Sequence, residues 1–332
     1  MICEATAYAR AGLVGNPSDG YFGKTISFII RDFAAKVSIY ESPDLEIVPS
    51  FQDRFKYASM RELREDVKSQ GYYGGIRLMK ATIRKFLDYC DEHAIKLADQ
   101  NFSIRYRSTV PLRVGLAGSS ALVTATLRAL MEFYEVDIPK EIQPSVILSV
   151  EKDELGISAG LQDRVIQVYE GCVFMDFDRA LLESRGYGRY EELDPARLPN
   201  LFIAYRTDLA EGSEVFHNNI RDRWEAGDPE VVQAMKDFAS YAEEVRALLL
   251  AGRGNDIAPW LNKNFDRRRS IYNIDPKNVD MVMRARAVGA SCKFAGSGGA
   301  VVGTYEDDAM YKRIQEVYAG AGTAVFKPTI VA

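Results

Sequence analysis

The spacing of hydrophobic and polar residues predicts a chain that mixes strands with helices. Apolar and polar residues alternate over 34–40 and 102–107, which predicts half-buried strands. An apolar stripe with helical spacing over 120–134 predicts an amphipathic helix. The same reading predicts helices over 139–152, 214–226, 229–251, 256–270, 276–288 and 307–319, and strands over 171–177, 201–205, 300–305 and 323–331.

This order of elements favours an α+β class, with helices packed on a mostly antiparallel sheet. A chain of 332 residues with 47% hydrophobic residues is long enough for two packed domains. The stretch 178–199 is rich in charge, Gly and Pro, and we predict that the domains join there. The expected division is 1–185 and 186–332.

The net charge and the cysteine content limit the binding partners and the cell compartment that we expect for this protein. The formal net charge of -5 argues against nucleic acid or an anionic membrane as a partner. No apolar run approaches the roughly 20 residues that span a bilayer. The four cysteines form no CxxC pair, which argues against a zinc site, and the first residues lack a secretory signal. We therefore expect a cytoplasmic protein.

The segment Gly115–Ala121 (GLAGSSA) follows a predicted strand and opens an apolar helix. Glycines let a backbone approach an anion, and the free N–H groups of a helix start favour phosphate. A plain serine N-cap behind a glycine turn explains the same letters. A Walker A loop does not, because Ser18 stands where the first glycine is required before Gly23–Thr25.

Two further segments have the residue types of a phosphoryl-transfer site. Glu151 and Asp163 flank a Gly-containing loop, and such an enzyme needs one carboxylate for Mg²⁺ and another for the attacking hydroxyl. Taken by themselves, such carboxylates are more often part of a solvated surface. Lys293–Gly303 (KFAGSGGAVVG) is a second glycine-rich turn, for which a flexible β turn is the simpler explanation and Lys293 is ordinary surface charge.

The chain resembles the GHMP kinases, a family with three motifs in this order. The matching residues are 9–19 (ARAGLVGNPSD), 111–121 (PLRVGLAGSSA) and 293–303 (KFAGSGGAVVG). The phosphate loop has one residue more than the common spacing, at Ala117-Gly118. Within the family the chain is similar to the glucuronokinases. The matching stretches are ARAGLVGNPSDGYFGKTIS, GYYGGIRL, GLAGSSA, ELGISAGLQDRVIQVYEG, NFDRRR and KFAGSGGAVV.

The resemblance implies a two-domain fold, with a ribosomal protein S5 domain 2-like N-terminal half and a ferredoxin-like C-terminal half. It also implies ATP and Mg²⁺ as the cofactors of a kinase for a small molecule. Asp163 would be the catalytic base with Arg10 beside it, and Ser120 and Glu151 would bind the metal. Asp19 would bind sugar hydroxyls. Glycine-rich residues would contact the triphosphate (Gly115, Gly118 and Ser119) or close the site (Gly296, Ser297 and Gly298).

One difference between this sequence and the galactokinases bears on the substrate. Galactokinases have Glu-His where this chain has Asn16-Pro17, and a carboxylate there would repel the C6 carboxylate of a uronic acid. Asn16 removes that repulsion and supplies an amide donor, although drift in a loop explains the change equally. A uronate also needs a cation, for which the run Arg267–Arg269, with Arg268 in its middle, is one source. Tyr72, Tyr73 and Arg77 are competing contacts for sugar or nucleotide.

The sequence therefore predicts a sugar-acid 1-kinase that converts D-glucuronate and ATP to the sugar 1-phosphate and ADP. Two alternatives remain open from the sequence. A GHMP kinase could act on galacturonate, a neutral sugar or an isoprenoid acid, and a GHMP-fold sensor could bind sugar without chemistry.

Overall fold

The computed structural model of the chain describes residues 2–50, 53, 58–61, 63–64, 74–207 and 220–331. Its strands lie in two sheets. The strands are β1 (Ile2–Val14), β2 (Lys24–Ser42), β3 (Glu46–Ile47), β4 (Asn101–Ser108), β5 (Cys172–Asp176), β6 (Arg189–Leu193), β7 (Leu201–Arg206), β8 (Lys293–Phe294), β9 (Ala300–Thr304) and β10 (Thr323–Phe326).

The helices pack against these sheets. They include α1 (Gly75–Glu92), α2 (Gly118–Phe133), α3 (Gln143–Ser149), α4 (Gln162–Tyr169), α5 (Arg179–Arg185), α6 (Ile220–Glu225), α7 (Pro229–Leu250), α8 (Ala258–Ile271), α9 (Pro276–Ala287) and α10 (Asp308–Tyr318). The helices over 75–92 and 179–185 were not predicted, and residues 214–219 of the predicted helix 214–226 lie outside the described residues. A π-helical turn over Val150–Glu154 continues α3, so the predicted helix 139–152 is shorter and changes its winding.

The long strand β2 organises the first sheet. It pairs antiparallel with β1 on one edge, and with β4 and β5 on the other. β3 joins β4 in parallel, and β6 extends the sheet beyond β5. The second sheet is antiparallel in the order β10-β7-β9-β8. The predicted α+β class is confirmed.

A hydrophobic core joins the two sheets. Phe28 of β2 and Phe174 of β5 share one buried cluster with Ile203 of β7, Val302 of β9 and Val245 of α7. This packing fixes the first sheet relative to the second sheet and α7. Residues from both halves of the chain can therefore form one site.

The predicted joining region contains regular secondary structure. Residues 178–199 contain α5 and the edge strand β6, which pairs with β5 of the first sheet. β6 looks like a linker in the sequence because, of its five residues, only Leu193 is buried. The division after residue 185 stays a prediction.

Candidate active site

Arg10 on β1 connects three segments that are far apart in the sequence. Its guanidinium donates through Nε and Nη2 to the two carboxylate oxygens of Asp163, at 2.7 Å each. Nη1 donates to the carbonyl oxygen of Gly115 at 2.6 Å. Arg10 is only 5% exposed, so these bonds replace its hydration. The carboxylate of Asp163 therefore lies beside the glycine-rich loop.

The ionisation of Asp163 follows from its neighbours. Burial raises the pKa of its carboxyl group, but the charges of Arg10 and Arg164 outweigh burial and hold the pKa below its ordinary value. Asp163 is therefore a carboxylate at neutral pH. A group with this charge can accept a proton from an attacking hydroxyl.

Asp19 faces the same site with the opposite shift. Burial first, and then the negative charge of Asp163, raise its pKa to about 6. Gly160 makes room for it, because a side chain there would collide with the Asp19 carboxylate. The two acids that the sequence assigns to sugar binding and to proton transfer are therefore close to each other.

The glycine-rich segment ends in a strained turn before α2. Gly115 has a φ of +70° and Ala117 a φ of +62°, and α2 begins at Gly118. A Cβ added to Gly115 would lie 2.8 Å from the Gly298 carbonyl and 3.0 Å from the Ser297 amide. The second glycine-rich segment thus packs directly on the first, and glycine is required at the contact.

Gly296 makes the reciprocal contact, because a Cβ there would collide with the carbonyl of Gly115. Gly12 of β1 donates to the Ala295 carbonyl at 2.7 Å. The structure therefore brings the predicted residues Gly115, Gly118, Gly296, Ser297 and Gly298 to one place.

The predicted metal pair is arranged differently. Ser119, not Ser120, bonds to Glu151, with Oγ donating to Oε1 at 2.8 Å. Ser120 is buried, and its hydroxyl donates to the Ala117 carbonyl at 3.2 Å. The other oxygen of the buried Glu151 accepts from Arg164. The serines and the acid converge at the tip of α2, although the hydroxyl that meets the acid is the neighbouring one.

The side-chain oxygen atoms of Glu151, Ser119 and Ser120 are of the kind that binds Mg²⁺. The ion prefers hard oxygen ligands and is usually held by one or two carboxylates together with substrate phosphates. Glu151 Oε1 and the two serine hydroxyls supply such oxygens at a helix start. Among the residues that the structure describes, no group of three or more His, Cys, Asp or Glu side chains could hold a metal. Phosphate oxygens would therefore have to complete the coordination.

The arginine run separates into three environments. Arg267 pairs with Asp237 at 2.7 Å, and Arg269 is exposed. Arg268 is buried, donates to the Gly296 carbonyl at 2.8 Å, and lies over the rings of Tyr272 and Phe294. Burial lowers its pKa, while Tyr272 and Asp19 act against this. Within the described residues no carboxylate pairs with Arg268.

Several site residues were not found from the sequence. Lys293 was interpreted as surface charge, but it is 1% exposed and donates to the Asn16 side chain. Burial, with the charges of Arg268 and Arg10, lowers its pKa well below that of a free lysine. Its apolar neighbours Cys292 and Phe294 were the available signal.

Arg164 was also missed as a site residue, although it directly follows Asp163. It reaches back to Glu151, a contact that sequence spacing does not reveal. Of the competing contacts, Arg77 on α1 is exposed and donates to the Leu155 carbonyl at 3.0 Å. Tyr72 and Tyr73 lie outside the described residues.

In the part of the chain that the structure describes, no helix is long and apolar enough to cross a bilayer.

The chain is similar to known kinases in sequence and in structure. A family model described as the GHMP kinases N terminal domain matches residues 77–171. Glucuronokinase 1 from Arabidopsis thaliana is 43% identical over 305 residues, which cover 90% of this chain and 84% of that protein. Probable glucuronokinase 2 from the same plant is 43% identical over 308 residues, with 91% and 84% covered.

A solved structure has the same fold. Streptococcus pneumoniae phosphomevalonate kinase, in complex with phosphomevalonate and AMPPNP, superposes with a TM-score of 0.76 over 99% of both chains, at 16% identity. At this identity the match supports the fold alone, whereas the plant relatives are similar over most of their length. The chain therefore belongs to the GHMP kinases, a family of phosphotransferases that act on alcohol groups.

Proposed function

We propose that this chain is an ATP-dependent kinase of a sugar acid, which converts D-glucuronate to 1-phospho-α-D-glucuronate and ADP. The relatives named glucuronokinase support the substrate class. The observation that carries the chemistry is the Arg10–Asp163 pair beside Gly115, because it places a charged acceptor next to a phosphate-binding loop.

Asp163 acts as the base in this proposal. The anomeric hydroxyl attacks the γ-phosphorus in line, the bond to the β-phosphate oxygen breaks, and Asp163 takes the hydroxyl proton. Arg10 holds the carboxylate at both oxygens, so its orientation is fixed before substrate arrives. The same guanidinium adds positive charge where negative charge is transferred.

The start of α2 binds the triphosphate. Backbone N–H groups at Gly118, Ser119 and Ser120 are free of intrahelical partners, as at any helix start, and the helix dipole favours anions there. Glu151, Ser119 and Ser120 would hold Mg²⁺. The ion would supply charge neutralisation for the phosphate oxygens. Gly296–Gly298 lie directly against this loop and close it on one side.

Arg268 binds the carboxylate of the sugar acid. It is the member of the arginine run that is both buried and without a carboxylate partner among the described residues. A buried guanidinium in this state is stabilised by an anionic ligand, and it discriminates against a neutral sugar. Asp19 binds the sugar hydroxyls.

A substrate panel tests the proposal. The purified chain is supplied with ATP, Mg²⁺ and one acceptor at a time, and ADP release is measured. We expect glucuronate to give the highest kcat/KM in a panel with galacturonate, galactose, glucose and mevalonate. A preference for galactose would contradict the assignment. Tight sugar-acid binding without turnover would favour a sensor.

Asp163→Asn should reduce kcat by about 10²- to 10⁴-fold, the usual contribution of a positioned base. The affinity for ATP should change little, because Asp163 does not line the start of α2. Steady-state ADP release and nucleotide titration measure the two quantities. Turnover like that of the wild type would remove Asp163 from this role.

The pH dependence of kcat/KM should reflect the ionisation of the Asp19 carboxyl group. Its pKa of about 6 lies above that of Asp163, so Asp163 is already ionised when Asp19 loses its proton. We expect kcat/KM for the sugar acid to rise through pH 6, because ionised Asp19 accepts hydrogen bonds from sugar hydroxyls. Asp19→Asn should abolish this limb of the profile. An unchanged profile in Asp19→Asn would assign the ionisation elsewhere.

Arg268→Met should raise the KM for glucuronate by about ten- to hundredfold, the effect of losing a hydrogen bond to a charged group. The KM for ATP should stay the same, and the methionine keeps contact with Tyr272 and Phe294. Arg269→Met is the matched control, since this neighbour is exposed. Equal losses for glucuronate and a neutral sugar would show that Arg268 does not recognise the carboxylate.

A further inference from the structure

Lys293 is a buried ammonium group that the proposed mechanism does not use. Its Nζ donates to the Gly12 carbonyl, the Asn16 Oδ1 and the Phe294 carbonyl, each at 2.6 Å. Three oxygen acceptors at 2.6 Å match the three N–H donors of the protonated amine, and these hydrogen bonds to the charged form counteract the burial that lowers its pKa. Lys293 is therefore held as an ammonium group, which has no acceptor. Lys293 therefore connects the end of β1 and the residues that follow it, Gly12 to Asn16, with the second glycine-rich segment.

This arrangement fixes the amide of Asn16. Because Lys293 can only donate, the amide oxygen must face it and Nδ2 must face the opposite direction. Among the described residues, no acceptor bonds to Nδ2, and this nitrogen is not one of the fully buried unpaired atoms. Asn16 thus has a donor left over for a ligand.

The backbone around Asn16 is held as well. Asn264 on α8 donates through Nδ2 to the Asn16 carbonyl at 2.9 Å and accepts from the Gly15 amide at 2.7 Å. Arg268 lies one turn further along the same helix and donates to Gly296. Asn16 is therefore fixed at its main chain by Asn264 and at its side chain by Lys293.

We propose that Lys293 is a positioning residue that presents Asn16 Nδ2 as a donor to the carboxylate of the sugar acid. The inference rests on the proposed function. If the side-chain amide of Asn16 were rotated so that its oxygen and nitrogen exchanged places, the oxygen would face the ligand and would repel a carboxylate. Lys293 prevents this, because the turned amide would place an NH₂ group against a buried ammonium and leave donors unsatisfied. Lys293 thus acts on substrate choice without touching the substrate.

Lys293→Met tests the inference. We expect the KM for glucuronate to rise about ten- to hundredfold, while the KM for ATP changes less than twofold. Lys24→Met is the matched control. Lys24 also links distant elements, through Asp176 and Glu243, but makes no contact with Asn16. It should leave the KM for glucuronate near the wild-type value.

A double-mutant cycle separates positioning from general damage. If Lys293 acts through Asn16, adding Lys293→Met to Asn16→Ala should raise the KM for glucuronate less than threefold further. Fully additive losses would overturn the inference. So would an unchanged KM in Lys293→Met.

Asn16→Asp decides the question if Lys293→Met does not fold. The aspartate keeps one oxygen on Lys293 and turns the other toward the ligand, so kcat/KM for glucuronate should fall at least tenfold more than that for a neutral sugar. Equal losses would overturn the inference. The proposed function fails separately, if the wild type phosphorylates no sugar acid at all.

Discussion

A buried guanidinium must find an acceptor for its N–H groups, and Arg10 meets this constraint with partners from three parts of the chain. It bonds to Asp163, to the Gly115 carbonyl, and more weakly to the Ala295 carbonyl at 3.3 Å. Loss of any partner would leave N–H donors of the buried guanidinium unsatisfied. The placement of Asp163, the Gly115–Ala121 segment and the second glycine-rich segment therefore depends on this one side chain.

Charge balance explains why two nearby acids behave differently. Asp163 receives two guanidinium groups, and they offset the cost of its burial. Asp19 is half-buried beside the charge of Asp163, and its own favourable contacts do not compensate for desolvation and that charge. Arg164 also pairs with Glu151, so a single side chain balances the carboxylates of Glu151 and Asp163. A buried pair of this kind is costly to break, because the remaining charge has no partner.

Glycines set the distance between the two loops. Cβ atoms on Gly115 or Gly296 would press on the facing backbone, so the loops approach each other only because these side chains are absent. Lys293 and Asn264 hold Gly12 and Asn16 against the same region with hydrogen bonds. The candidate site is thus a place where backbones meet closely.

The sequence by itself determined the α+β class, most helices, and the order of the three motifs, because periodicity and glycine spacing are local properties. It did not reveal β1 or the first half of β2. Both faces are buried over 9–14 and 25–30, so alternation disappears there, whereas burial does alternate over 2–8. Only the tertiary structure decided that Ser119 rather than Ser120 meets Glu151, that Arg268 is the buried member of its run, and that Lys293 is a core residue. These outcomes depend on which distant groups fold against each side chain, and a linear pattern of residues contains no record of those distances.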